Sequence, residues 1–153
     1  MKTLLKFAGA LWLFVFLIAG TAFAPAPLCS GSGCNGLDPH TTRCDQQATT
    51  WEYRYISNGK IELRFSMSCN TLWGRTRNSS GRHYAQSTLA YWMWWEGANT
   101  YLYYRNSPGK IGPGQVVYTA QYYDPVPEPS WNACGRLTSY YVSYPVLSPC
   151  TSH

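Results

Sequence analysis

The groups in this 153-residue chain that could do chemistry are three histidines, seven acidic side chains and six cysteines. Nucleophilic catalysis needs a base within hydrogen-bond reach of a nucleophile and an acid to orient it. His83, Asp38 and any serine supply the residue types, but no G-x-S-x-G elbow ties them together. Glycoside hydrolysis needs two carboxylates facing across a cleft. Glu52 and Glu62 fall on neighbouring alternating runs, where ion-paired surface positions account for them. A small basic nuclease would draw on Arg82, His83 and Glu96, which read more simply as solvated loop positions. Asn35, Asp38 and Asp45 are oxygen donors without calcium-loop spacing; Asn35 and Asp38 are expected to cap turns through side chain-to-backbone bonds. No catalytic residue, metal site or cofactor is assigned, and the balance leans away from an enzyme.

The cysteines are Cys29, Cys34, Cys44, Cys69, Cys134 and Cys150. An even count in an exported chain implies crosslinks. Proximity pairs Cys134 with Cys150, a closure worth about 3 kcal/mol by loop entropy. Cys29–Cys34 is possible but cramped, so the expected remainder is Cys29–Cys44 with Cys34–Cys69. Zinc sites usually place two ligands closer than Cys29 and Cys34, and no histidine stands close to a second pair, so the sulfurs are read as bridges rather than ligands.

Binding chemistry has a better source in the run Tyr91-Trp92-Met93-Trp94-Trp95. In a strand Trp92 and Trp94 share one face, beside Tyr101, Tyr103 or Tyr104. Exposed contiguous aromatic surface marks binding sites, and Tyr and Trp suit flat contacts with sugars or proteins. The competing reading covers both faces, one by core and one by a loop over 124–138. Trp73 and Arg75 share a strand face, where a cation–π pair would fit. Asn78-Ser79-Ser80 is a glycosylation sequon, relevant only to a eukaryotic secretory route.

The elements that must position these groups read as strands. Trp51, Tyr53 and Tyr55 alternate with Glu52 and Arg54; Ile61, Leu63 and Phe65 alternate with Glu62 and Arg64. The period of two places the rings and aliphatics inward and the charges outward. Asn58-Gly59 between the runs signals a hairpin with both turn residues left-handed. Further strands are expected at 72–78, 83–97, 99–106, 115–123 and 139–147, the last at an edge because Pro145 interrupts it. Seven or so short strands with frequent turn signals predict an all-β antiparallel sandwich or small barrel, stabilised by disulfides.

Part of this pattern resembles a family. CNGLDPHTTRC followed by IELRFSMSCNTLWGR is similar to the YjfA-like, DUF2690-type secreted bacterial proteins of unknown function. Beside the first four cysteines, Gly36, Asp38, Pro39, Glu62, Leu63, Arg64, Phe65, Ser66, Trp73 and Arg75 carry the likeness over about residues 29–77. Gly74 departs from the family's Trp-Ala-Arg. The resemblance implies an exported module with a four-cysteine crosslinked core, and no activity.

Export has its own signal. Lys2 and Lys6 precede an apolar run from Phe7 to Ala19, then Gly20, Ala22 and Ala24. The run is shorter than the ~20 residues of a permanent span. A signal peptide over 1–22 is expected, cleaved at 22/23 or else 24/25, before a cysteine-rich segment over 23–49 and a β-domain over 50–153. Loss of the two lysines takes the formal charge from +5 to +3. Nothing gathers it into a tract, so no nucleic acid is expected. A charged share of 12% with 16% aromatics excludes a disordered tail. The expected product is a secreted, non-catalytic extracellular binding module for a cell-surface polysaccharide or protein. The alternatives are a small secreted hydrolase or nuclease-like toxin, or a structural cell-envelope protein.

Overall fold

The structure, a computed structural model, describes residues 25–93, 96–125 and 130–151. The expected signal peptide and Trp94 lie outside them. After a 3-10 turn at Gly31–Cys34 come β1 (Thr49–Ile56), β2 (Gly59–Ser66), β3 (Thr71–Asn78), β4 (Tyr84–Met93), β5 (Ala98–Asn106), β6 (Val116–Tyr118), β7 (Tyr122–Tyr123) and β8 (Trp131–Thr138). One antiparallel sheet runs β1-β2-β3, with β6 and β7 sharing the far edge of β3; the other runs β5-β4-β8. The all-β antiparallel expectation holds. Within 115–123 the run divides into two short strands around Thr119, whose hydroxyl accepts the Gly74 N–H at 3.1 Å. No helix among the described residues is long and apolar enough to cross a membrane.

The core lies between the sheets. Ile61, Leu63, Phe65 and Leu72 from the first meet Leu89, Trp131 and Ala133 from the second. Each large aliphatic or aromatic side chain so buried contributes about 1.5–3 kcal/mol. The sheets approach closest at two glycines. A Cβ on Gly74 would stand 2.7 Å from the Thr88 carbonyl oxygen, and one on Gly135 would strike the Thr76 hydroxyl. Here is the reason for the departure from Trp-Ala-Arg: glycine lets β3 lie against the β4 backbone.

Several expectations need correction. In the hairpin, Ile56 pairs Gly59, leaving Ser57 and Asn58 as the loop. Asn58 alone of these is left-handed (φ 66). Gly59 opens β2 instead, where a side chain would strike the backbone of Arg77.

Next, the faces of β1 are reversed. Tyr53 and Tyr55 lie opposite Glu62 and Lys60, on the outer face, while Glu52 and Arg54 lie opposite Leu63 and Ile61. A bulge between Thr50 and Glu52 shifts the alternation by one residue. Of the three rings Trp51 alone keeps a core contact, stacked on Phe65 at 4.8 Å, and Ile56 packs against the core beside the turn. Arg54 donates to the Cys150 carbonyl at 3.2 Å, and an inward charge also blunts this edge strand against further pairing.

Finally, the last strand is 131–138, not 139–147. Residues 139–151 instead cross the outer face of the second sheet. Gln86 Nε2 donates to the Val142 and Tyr144 carbonyls at 3.0 and 2.8 Å, and Asn106 Nδ2 to Val142 at 2.9 Å. Side chains thus satisfy a backbone that Pro145 and Pro149 keep out of a ladder.

Residues 25–48 play the same part on the first sheet. They are bridged by Cys29–Cys34, and to the β2–β3 turn by Cys44–Cys69. This replaces the expected Cys29–Cys44 and Cys34–Cys69. The 3-10 turn, entered through left-handed Gly31 (φ 58), folds Cys34 back until its Cα is 5.4 Å from that of Cys29, which relieves the cramping that spacing suggested. Cys134–Cys150 forms as expected.

Gly74→Ala is expected to cost about 1–3 kcal/mol by overpacking, read as a lower midpoint in denaturant. An unchanged midpoint would mean that the sheets separate freely at this point.

Candidate functional site

Apart from Leu63 and Phe65, which belong to the core, the motif residues shared with the family converge on the outer face of the first sheet and the cysteine-rich segment above it. Trp73 is buried against Cys34, Cys44 and Cys69, with Tyr118 and Ala48 at the margin. Beside it Glu62, 2% exposed, takes Lys60 Nζ at 2.6 Å and Arg75 Nε at 2.5 Å. Arg64 donates to the Thr50 hydroxyl and the Ala48 carbonyl, each at 2.5 Å, tying the incoming chain to β2. Ser66 Oγ accepts the Cys69 N–H at 3.3 Å.

In the cap, Gly36 is left-handed (φ 76). The Pro39 carbonyl accepts from the Thr42 hydroxyl and the Asp45 N–H. Asp38 caps the turn through the N–H groups of His40 and Thr41 and pairs with Arg105 of β5 at 2.9 Å. The capping role expected of Asp38 is present, and Asn35 accepts the distant Tyr123 N–H at 2.6 Å. These residues build a joint between cap and sheet. Arg75 is engaged by Glu62, not by Trp73. Asn78 is fully buried and donates to the Gly81 and Ile111 carbonyls, so the sequon is closed to glycosylation.

The catalytic combinations do not assemble. Glu62 and Glu52 sit on opposite faces of the first sheet, Glu62 inside its ion pairs. His83 and Glu96 flank opposite ends of β4, a strand of 10 residues, and so stand roughly 30 Å apart at strand rise. His40 pairs with Asp45 at 2.9 Å. A shallow cleft of about 210 Å³ lies among Asp38, Arg105, Ser107, Pro108, Val116 and Tyr118, smaller than the usual 300–1,000 Å³ of ligand pockets, roughly.

The aromatic surface lies elsewhere, on the outer face of the second sheet. Tyr101 and Tyr104 are 48% and 43% exposed, edge to face at 6.0 Å. Tyr104 leads to the crossing segment by its hydroxyl, 3.5 Å from the Ser143 carbonyl. Asn106 donates to the Tyr141 hydroxyl at 3.4 Å, and Tyr141, 56% exposed, packs edge-on against Tyr84 at 5.8 Å. Lys110 stands over Tyr84 and Arg136 over Tyr144, at 5.7 and 5.6 Å from the ring centres.

Of the residues expected to bind, Tyr101 belongs to this row. Trp92, opposite Asn99 and half-buried, shares its face. Tyr103 turns the other way and packs against the core. A bulge in β5, opposite Leu89 and Ala90, puts Tyr101 and Tyr103 on opposite faces although they are two residues apart. The run 139–147 reads as a strand, which hides Tyr141 and Tyr144; Pro145 within it and Pro149 after it are the available signal.

A family match bears on the same residues. The family described as "Protein of unknown function (DUF2690)" matches residues 32–124. The chain belongs to the DUF2690 family. No curated protein and no solved structure matches it. The match agrees with the DUF2690 side of the resemblance, does not bear on the YjfA-like name, and reaches well past residue 77. The DUF2690 region therefore takes in the joint around Trp73 and also Tyr84, Tyr101 and Tyr104. It ends before β8 and before the segment that carries Tyr141 and Tyr144.

The joint has a pH signature. Burial pushes the Glu62 carboxyl up, but hydrogen bonds from Arg75 and Lys60 outweigh it and hold the group below its ordinary 4.5. A depressed folded value gives stability that is complete above the unfolded value and lost as pH falls through the folded one. Unfolding free energy is expected to drop as pH falls below about 4.5. Glu62→Gln should flatten part of that slope and cost about 1–3 kcal/mol at neutral pH. An identical acid slope in the variant would refute the assignment.

Proposed function

We propose that this DUF2690 protein is an exported, non-catalytic binding module that holds a surface polysaccharide on its row of tyrosines. The observation that carries the reading is the run Tyr101, Tyr104, Tyr141 and Tyr84, whose first three rings are exposed on one face. Between Tyr101 and Asn106, paired with Ala90 and Gln86, the face spans about 13 Å of strand, long enough for two or three sugar rings. Tyrosines suit that ligand because a ring covers an apolar sugar face while the hydroxyl bonds its edge. The carbonyl contact of Tyr104 and the hydroxyl contact of Tyr141 hold both rings in place, so little side-chain entropy remains to be lost on binding.

Export is supported by the charged n-region and apolar run at the start of the chain, and by three disulfides with no free cysteine, which persist in oxidising compartments. Among the described residues no histidine meets a nucleophile. That favours a binder over the hydrolase reading.

Expression of the full chain in a secreting host tests export. Material in the medium should begin at Phe23, or at Pro25 for the alternative cleavage; a chain that stays in the cell with Met1 intact would sink the exported reading. Binding is tested by pull-down of the oxidised protein on insoluble wall polysaccharides. Tyr101→Ala with Tyr104→Ala should weaken retention about tenfold, at roughly 0.5–1.5 kcal/mol per ring. Undiminished retention in the double variant would remove the tyrosine row from the function.

A further inference from the structure

The four sulfurs under the cap stand closer together than two independent crosslinks require. Cys29, Cys34, Cys44 and Cys69 have all their Sγ atoms within 4.8 Å of one another. Between the two bridges, Cys29 Sγ and Cys44 Sγ are 3.8 Å apart. Metal–sulfur bonds of about 2.3 Å put the corners of a tetrahedral tetrathiolate about 3.8 Å apart. The Cys29–Cys44 separation is thus already that of a metal site, the remaining sulfurs lie within 4.8 Å, and the two bonded pairs would have to open.

The surroundings suit thiolates. The Thr42 hydroxyl lies 3.2 Å from Cys44 Sγ, and Gln121 Nε2 lies 3.6 Å from Cys29 Sγ. Gln121 is fully buried and held in place by its other bonds, accepting from the Thr71 hydroxyl and donating to that of Thr42, both at 2.9 Å. Outer hydrogen bonds of this kind orient ligands and offset their charge. Three of the four cysteines are fully buried, and Trp73 closes the site from the sheet side.

We infer that the four sulfurs form a redox-dependent site, two disulfides when oxidised and a tetrathiolate for one soft divalent ion such as zinc when reduced. Each disulfide takes two electrons and two protons from a dithiol, which is itself oxidised to a disulfide. The four thiols then release their protons as the ion binds. Either form pins residues 25–48 to the β2–β3 turn. The cap can therefore close over Trp73 in a reducing compartment as well as an oxidising one. Spacing along the chain hides this, because only Cys29 and Cys34 are near neighbours in sequence. The 3-10 turn and the β2–β3 turn bring them together.

The test uses the full chain, reduced by a phosphine under anaerobic conditions, with zinc as the probe. Iodoacetamide labelling with peptide mapping should show zinc slowing alkylation of Cys29, Cys34, Cys44 and Cys69 by about tenfold or more. Cys134 and Cys150 should react at the zinc-free rate. Cobalt in place of zinc should give thiolate-to-metal absorption at one ion per chain, lost in Cys44→Ser and kept in Cys134→Ser. Equal labelling of all six cysteines with and without zinc would overturn the inference, as would cobalt absorption that survives Cys44→Ser. If Cys44→Ser does not fold, the labelling map of the unaltered chain decides alone.

Discussion

A two-sheet sandwich built from a chain this poor in charge has an outer-face problem, and covalent sulfur solves it twice. Each sheet buries one face against the other. The opposite faces carry Trp73 and Tyr118 on the first sheet, and Ala90, Asn132 and Cys134 on the second. Each is roofed by a segment without strands of its own: residues 25–48 over the first, 139–151 over the second. Neither segment has more of a ladder to hold it than the single bridge between Cys134 and Cys150. Each gains side-chain bonds such as those of Gln86 and Gln121, which contribute only about 1 kcal/mol each after exchange with water. Ordering each residue costs a comparable amount. Bridges to Cys69 and Cys134 remove much of that cost in advance by restricting the unfolded chain, and so decide the balance.

The family motif reads differently in this light. A conspicuous Asp-Pro turn, an acid–base pair and a Trp-x-Arg invite a catalytic interpretation. In the fold Asp38 caps a turn and reaches Arg105, Glu62 is clamped between two cations, and Trp73 supports the sulfurs. A buried ion pair is weak evidence of net stabilisation, since desolvation consumes much of the attraction. Its value here is positional: Glu62 holds Arg75 beside Trp73, where an uncharged occupant would leave the carboxylate to Lys60 alone.

How far the sequence carried depended on the range of the interaction. Period-two alternation made β2 and β3 legible, because their faces are set by residues within the strands themselves. The two bulges were not legible. Nothing local marks Trp51 or Leu102 as the extra residue, yet each reverses the faces of its strand and so decides which aromatics meet solvent. β8 was hidden for another reason. Asn132 and Gly135 argue against a strand by propensity, but Asn132 is satisfied by Asn99, and Gly135 is required by Thr76 across the interface. Both are tertiary facts. Cysteine pairing failed likewise: separation along the chain favours loops of moderate length, whereas a left-handed glycine at 31 made the shortest loop the accessible one.

The same roofing logic explains why the exposed tyrosines cluster where they do. A segment that crosses a sheet can bury only one side of itself. In 139–151 the buried side belongs to Val142, Val146 and Cys150, leaving Tyr140, Tyr141 and Tyr144 on the other. Charged residues there would serve solubility equally well, and 12% charge shows how sparingly the chain uses them. Tyrosine hydroxyls hydrate the surface, while the cationic heads of Lys110 and Arg136 stand over the rings of Tyr84 and Tyr144. A surface so made is wetted yet flat and apolar in patches. That combination is the one the proposed polysaccharide contact would use, since a ring face packs on an apolar sugar face while its hydroxyl reaches water or the sugar edge.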